Sequence, residues 1–338
     1  MKRRIIIYLI LSFNIIFCLN PKLFSKEITA SIFMYHRFGE NKYPSTNIKM
    51  QQFKNHINEL KKNNYNVLPI PEILDALIND KILPKKTIGI TIDDAFLSIY
   101  KKAYPILKKN NFPFTVFVST DSVNSNSSIY MNWKKINEMV NSNLTVSIGN
   151  HTASHDHLVE KTDAEIMSEI LKSNKNFLKN LGYEPDFFAY PYGEYDLKTK
   201  NIIKKNFKAA FGQQSGSLYN GIDLYELPRY ALNEQYGNLK RFKFAANSHG
   251  LKLKDVIPEN KVINDTNPPL LGFTLIENID NSINCYPSHG IKAELIKIGN
   301  KRLEVRFDSK FPKGRTRINC TVNDNNIWRW TGFQFVNP

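Results

Sequence analysis

The sequence predicts an α/β fold followed by a small antiparallel β-domain. Over residues 31–230, short β-branched runs alternate with amphipathic stretches of helical period. That is the pattern of parallel βα units, closed as a barrel or left as an open sheet. Beyond residue 270 the apolar residues recur with period two, as in strands with one buried face. Between the two regions, residues 256–269 hold Pro258, Pro268 and Pro269 and little apolar periodicity, so they read as a linker. A chain of 338 residues accommodates two such domains. With 42% apolar and 12% aromatic residues it can bury a substantial core, which excludes global disorder.

The first 25 residues read as a secretory signal peptide. Lys2-Arg3-Arg4 is the basic start, residues 5–19 are apolar apart from Ser12 and Asn14, and Leu23-Phe24-Ser25 offers a cleavage site. The apolar stretch is short of the roughly 20 residues that a membrane span needs, so no stable span is expected after cleavage. The protein is then expected to be exported, to the periplasm or the cell exterior. The chain carries 46 Lys+Arg against 31 Asp+Glu, a net +15. These charges are dispersed and no basic run is interleaved with aromatics, so a nucleic-acid partner is not expected. An acidic envelope polymer stays open as a partner, as does a charge without a specific role.

The elements follow in order. Residues 31–35 read as a strand. Phe53, Ile57 and Leu60 share one helical face. The β-branched run 87–92 is a strand that ends on Asp93-Asp94. Residues 100–109 are helical and stop at Asn110-Asn111, and 114–119 and 145–148 are strands. Residues 164–181 form a long amphipathic helix stopped by Gly182 and Pro185, and 187–190 is a strand ended by Pro191. In either α/β arrangement the ligand sits at the carboxyl ends of the strands. The expected domains are therefore 26–255 and, after the 256–269 linker, 270–338.

In the β-domain, Ile291, Ala293 and Leu295 share a face, as do Leu303, Val305 and Phe307, with turns at Gly299-Asn300 and Asp324-Asn325. Signal cleavage removes Cys18 and leaves Cys285 and Cys320. In an exported chain these read as a disulfide stapling two strands, against two buried free thiols. Trp328 and Trp330 alternate, as do Phe333 and Phe335, and the four read either as core or as a sugar-stacking face. Arg315 and Arg317 either bind an acidic polymer or face water.

Three short segments at strand ends carry the chemistry. They are Thr91-Ile92-Asp93-Asp94, Gly149-Asn150-His151-Thr152-Ala153-Ser154-His155 and Ala189-Tyr190-Pro191-Tyr192-Gly193. His151 and His155 are four apart, a spacing that puts both imidazoles on one side of a helical turn, where they can hold one metal ion. Thr152 stands where the metalloprotease motif has its catalytic Glu. The adjacent carboxylates of Asp93 and Asp94 would repel each other unless a cation lies near. Two histidines and one carboxylate leave positions open on an ion, the form of a catalytic site, with the second carboxylate free as a base.

In this order the three segments resemble the polysaccharide deacetylase family, also called the NodB-homology family or carbohydrate esterase family 4. The resemblance spans residues 31–230. Thr91-Ile92-Asp93-Asp94 resembles its T-F-D-D motif with Ile92 for Phe, and His151 to His155 matches H-[ST]-x-x-H. Phe188 to Gly193 matches the F-A-Y-P-Y-G string of the branch that includes poly-N-acetylglucosamine deacetylases, in place of the commoner R-x-P-Y. The resemblance implies a distorted (β/α) barrel of about seven strands. It implies that Asp94, His151 and His155 hold one divalent metal ion, usually zinc, that Asp93 is the catalytic base, and that the Tyr192 N–H is the oxyanion donor. It implies an N-acetylated polysaccharide as substrate and removal of its acetyl groups as the reaction.

Arg229, by its place in the chain, either supplies a cation to the site or is a surface arginine. His36 ends the first strand and is expected to line the same mouth; His157 trails the metal motif and is a weaker candidate. His249 and His289 lie outside any matching context, so the family's catalytic-acid histidine is not seen. A carbohydrate O-acetyl esterase would use the same site. An inactive glycan-binding protein would have no need to keep Asp93 beside the metal ligands.

Overall fold

The computed structural model describes residues 28–338; the expected signal peptide, 1–25, lies outside the described residues. The main sheet curls into a partial barrel. Seven strands run side by side in the order Ser217–Tyr219, Thr29–Tyr35, Thr87–Asp93, Phe114–Val118, Val146–Asn150, Phe187–Ala189, Ala209–Phe211. Ser217–Tyr219 pairs antiparallel with the first strand, and the other pairs in this row are parallel. The seven-stranded distorted barrel expected from the sequence is therefore the architecture found.

One segment closes the gap between the last strand and the first. Ala210 and Gly212 share backbone hydrogen bonds with Leu224 and Leu227. Arg229 N–H then donates to the Gln214 carbonyl, and Tyr230–Ala231 pairs parallel to Phe33 and Met34. The closing segment thus delivers the Arg229 side chain into the barrel.

The strands are apolar on both faces because helices cover the outside and side chains fill the inside. Thr87–Asp93 is buried at every position. The Met50–Lys62 helix buries Phe53, His56, Ile57 and Leu60. The Asp163–Leu181 helix starts on a Thr162–Glu165 capping box and ends on Gly182 at φ +83°, a backbone region that glycine adopts without steric cost. Residues 99–109 are helical with one irregularity: a π-type turn, Ile99–Ala103, precedes the α-helix Tyr104–Lys109. Pro105 has no N–H to give to that turn.

The β-domain consists of two four-stranded sheets. One runs His249–Gly250, Ile327–Asn337, Gly314–Asp324, Asn284–Pro287; the other runs Leu253–Ile257, Leu271–Leu275, Arg302–Phe307, Ala293–Ile298. Phe273, Val305, Ile318, Cys320, Phe333 and Phe335 are buried together in their shared core. All pairs are antiparallel except His249–Gly250, which lies parallel to Arg329 and Trp330. Strand pairing with this domain therefore begins at His249, ahead of the stretch that reads as a linker, and Val256 and Ile257 are strand residues. The sequence hides this strand because it is half exposed and lacks strict alternation.

Cys285 and Cys320 face each other across an antiparallel pair and form a disulfide, with Cα atoms 4.0 Å apart. The hairpin turn falls on Asn325-Asn326, at φ +51° and +66°, one residue later than expected. Two consecutive left-handed residues are what a two-residue hairpin loop demands, and Asn tolerates them. Trp330, Phe333 and Phe335 are buried, whereas Trp328 is exposed. Trp330 packs on Tyr230 and Phe244, joining the β-domain to the barrel. No helix among the described residues is long and apolar enough to cross a membrane.

Candidate active site

The site is assembled at the carboxyl ends of four strands. Asp93 is the last residue of Thr87–Asp93 and is fully buried. Arg229 grips it with two parallel bonds, Nη1 to Oδ1 at 2.7 Å and Nη2 to Oδ2 at 2.9 Å. The guanidinium is itself fully buried, donates from Nε to the Gly212 carbonyl, and lies against the rings of Phe117 and Phe211, with Cζ 5.3 and 5.7 Å from their centres. Arg229 is therefore not a surface residue. Burial pushes the Asp93 carboxyl up, but Arg229, then His151 and His36, outweigh it and hold the group below the usual carboxylate range. His36 Nε2 stands 3.9 Å from Asp93 Oδ2, so the end of the first strand opens on the same mouth.

Asp94 turns away from its neighbour because the backbone changes hand, with φ +75° at Asp94 and +56° at Ala95. Such conformations cost energy and concentrate where function over-determines them. Its Oδ1 lies 3.5 Å from His151 Nε2 and 3.3 Å from His155 Nε2. Burial raises this carboxyl too, but the neighbouring imidazoles, His151 first and then His36 and His155, carry it well below the usual range.

The two histidines do not sit on a helical turn. Residues 151–157 form a loop in which Thr152 and His155 have φ +67° and +63°. The loop is pinned from outside: Asn150 Oδ1 accepts from Thr152 N–H, and Glu169 Oε2 accepts from the N–H groups of Ala153 and Ser154. His155 N–H donates to Thr152 Oγ1. The rings converge at 4.7 Å through these anchors rather than through helical spacing.

His151 Nδ1 lies 2.6 Å from the Ala189 carbonyl and donates to it; Asp94 raises this histidine while the two face each other alone, and the neutral ring, the form that binds an ion, turns its lone pair on Nε2 toward Asp94. That lone pair faces Asp94 Oδ1, and both atoms are buried without a hydrogen-bond partner among the described residues. Two buried acceptors turned on each other are costly unless a cation lies between them. Burial above all pushes His155 down to about 4, so it too offers a lone pair. One ligand atom from each of Asp94, His151 and His155 lies within 4.8 Å of the others. A carboxylate with two imidazoles is a donor set suited to zinc and similar divalent ions.

Tyr192 stands on the far side of His155, with ring centres 4.6 Å apart. It occupies a tight turn, Pro191–Gly193, at φ +60°. Gly193 follows at φ +70°, and a Cβ there would sit 2.6 Å from the Gln213 backbone nitrogen, so only glycine fits. The ring of His157 stacks on Tyr192 at 4.0 Å while its Nδ1 lies 2.5 Å from Glu194 Oε2.

Residues of the β-domain complete this corner. Gln334 Nε2 donates to the carbonyls of Tyr192 and Gly193, at 3.1 and 2.9 Å, and Arg315 Nη1 to that of Tyr192 at 3.2 Å. Sequence reasoning missed Gln334, Glu169 and Glu194. None lies in a motif, and Gln334 meets Tyr192 across 142 positions of chain. His249 and His289 are not among these contacts; His289 Nε2 pairs with the Arg315 carbonyl.

Residues 80–208 match the family model for polysaccharide deacetylase. The chain is 28% identical over 213 residues to the poly-β-1,6-N-acetyl-D-glucosamine N-deacetylase of Staphylococcus aureus (strain MRSA252), covering 60% of this chain and 73% of that protein. Among solved structures it is similar to the Streptococcus pyogenes deacetylase PplD in complex with acetate, with a TM-score of 0.58, 25% identity, and coverage of 62% of this chain and 95% of that one. It is also similar to IcaB from Ammonifex degensii, with a TM-score of 0.58, 25% identity, and coverage of 64% and 96%.

Proposed function

We propose, from the polysaccharide deacetylase domain that this chain carries, that the protein is an exported hydrolase removing acetyl groups from the N-acetylglucosamine units of a polysaccharide with one divalent metal ion, zinc. One observation carries the reading: buried, unpartnered acceptors on Asp94 and His151 sit beside a carboxylate, Asp93, that an arginine holds in place. The S. aureus relative and its named substrate support the sugar. The basic and apolar N-terminal sequence and the Cys285–Cys320 disulfide support export to an oxidising compartment.

Asp94, His151 and His155 would hold the ion. When bound, it lowers the pKa of a water molecule and polarises the acetyl carbonyl. Asp93 is the base that takes the proton of the attacking water. Its two bonds to Arg229 use two of about four lone-pair directions, so a free one remains for that proton. The pairing lowers its basicity and fixes its orientation. The Tyr192 N–H, in its left-handed turn, is the donor assigned to the tetrahedral oxyanion. The leaving amine needs a proton; His36, facing Asp93 from the first strand, is the ionisable group placed to supply it.

Acetate release from β-1,6-linked N-acetylglucosamine oligomers, set against O-acetylated oligomers of a sugar without N-acetyl groups, tests the reading. The expected result is turnover of the amide. Turnover of the ester alone would make the protein an O-acetyl esterase, and turnover of neither would leave a glycan-binding protein.

A further inference from the structure

A second cavity, of about 640 Å³, lies between the barrel and the β-domain. Its walls include Arg241, Arg315, Arg317, Tyr236, Tyr286 and Trp330. Arg241 comes from the Leu239–Ala246 helix, and Arg315 and Arg317 from the Gly314–Asp324 strand, so both domains are needed to build it.

Arg241 and Arg317 lack a carboxylate partner; Arg241 lies instead over the rings of Tyr236 and Trp330, with Cζ 5.1 and 5.9 Å from their centres. Arg241 gives Nη1 to the carbonyls of Ala231 and Tyr236, at 3.0 and 3.1 Å. Arg317 gives Nε to Gln334 Oε1 at 2.9 Å and Nη2 to Gln213 Oε1 at 3.3 Å. All four acceptors are neutral, and neither arginine forms an ion pair with a carboxylate among the described residues. Arg315 has Glu194 Oε1 at 3.6 Å, but Glu194 is also bonded to His157. Burial, then the charge of Arg315, pushes Arg317 down to about 10. Two half-buried cations without counter-charge, Arg241 and Arg317, are unfavourable to the folded chain by themselves. An anion entering the cavity would relieve this, and the planar fork of arginine matches a carboxylate or a phosphate.

The remaining walls suit a sugar. Tyr286 and Tyr236 are exposed and Trp330 forms part of the floor, so ring faces lie beside the cations. The cavity also adjoins the active site. Arg315 lines it and at the same time covers the Tyr192 ring, with Cζ 5.4 Å from the ring centre, and bonds to the Tyr192 carbonyl.

We propose that this cavity is a subsite for an anionic group, a carboxylate or phosphate, carried by the glycan chain at a sugar neighbouring the one that is deacetylated. The inference rests on the deacetylase reading of the adjoining mouth. It makes the substrate an acidic N-acetylated polysaccharide, and it assigns Arg241 and Arg317 to selecting it.

Calorimetric titration of the purified protein tests this with three probes: a neutral β-1,6-linked N-acetylglucosamine pentamer, the same pentamer bearing a phosphate monoester on its terminal sugar, and inorganic phosphate. The charged pentamer should bind about tenfold or more tightly than the neutral one at low salt, and the gap should narrow as salt rises. Arg241→Gln and Arg317→Gln should each remove most of the gap, with circular dichroism unchanged. Arg317→Lys, which keeps the charge, should retain part of it. Equal affinity for the two pentamers, a gap that survives both Gln variants, or binding of inorganic phosphate without preference for the charged pentamer would each overturn the proposal. Acetate release, read on the same samples, separates the two claims. Turnover without a gap refutes the anionic subsite alone; a gap without turnover of either pentamer refutes the deacetylase reading and leaves the anion site standing.

Discussion

Asp93 and Asp94 are neighbours with opposite surroundings, and the difference is made by residues far away in sequence. Asp93 meets Arg229 across 136 positions, and Asp94 meets two imidazoles from another loop. Arg229 does two things to Asp93: it cancels the cost of burying a charge, and it keeps the carboxyl ionised in acid. Arg229→Lys replaces a two-pronged grip with a point charge. The variant should lose stability, on the order of 1–3 kcal/mol. The acidic limb of its kcat/KM profile should move to higher pH, because burial then raises the Asp93 carboxyl with less opposition. Thermal unfolding and a pH–rate profile check both; an unmoved acidic limb would separate Arg229 from the base.

The Pro191–Gly193 turn is held by Gln334 from a strand of the other domain. Gln334→Ala should lower kcat by about 10–100-fold, the usual effect of removing a supporting hydrogen bond, with KM little changed. In the Met50–Lys62 helix, His56 is buried, stacks on Phe242 at 4.1 Å, accepts from the Tyr35 hydroxyl and donates to the Gly237 carbonyl. Burial pushes it from its ordinary 6.5 down to about 4. The unfolded chain therefore binds the extra proton first. Stability is full above pH 6.5 and falls as pH drops toward 4, by on the order of 3 kcal/mol. His56→Gln should flatten that stretch of the urea-denaturation pH profile relative to wild type. The strands, the Phe53–Ile57–Leu60 face and the three motifs were legible in the sequence because each depends on local period or local chemistry. The loop that gathers His151 and His155 was not, since its shape comes from Asn150 and Glu169 and from left-handed residues that carry no period. The Leu253–Ile257 strand was hidden among half-exposed residues, and the Arg229–Asp93 pair depends on how the barrel closes.

The β-domain is built into the corner of the candidate active site. It starts pairing at His249, packs Trp330 on Tyr230, and sends Arg315 and Gln334 to the turn beside His155. On the proposed mechanism the barrel would supply the ion ligands and the base, and the two roles separate in one measurement. Bound metal per chain and acetate release are read on the same preparations of wild type, Asp94→Asn and Asp93→Asn. Asp94→Asn is expected to lose both the ion and turnover. Asp93→Asn should keep the ion and lose turnover by about 10²–10⁴-fold, since an amide fills the space of the carboxylate but accepts no proton from water. An Asp93→Asn protein that binds no ion, or that releases acetate at nearly the wild-type rate, would contradict the assignment of Asp93 as the base beside an Asp94–His151–His155 metal site.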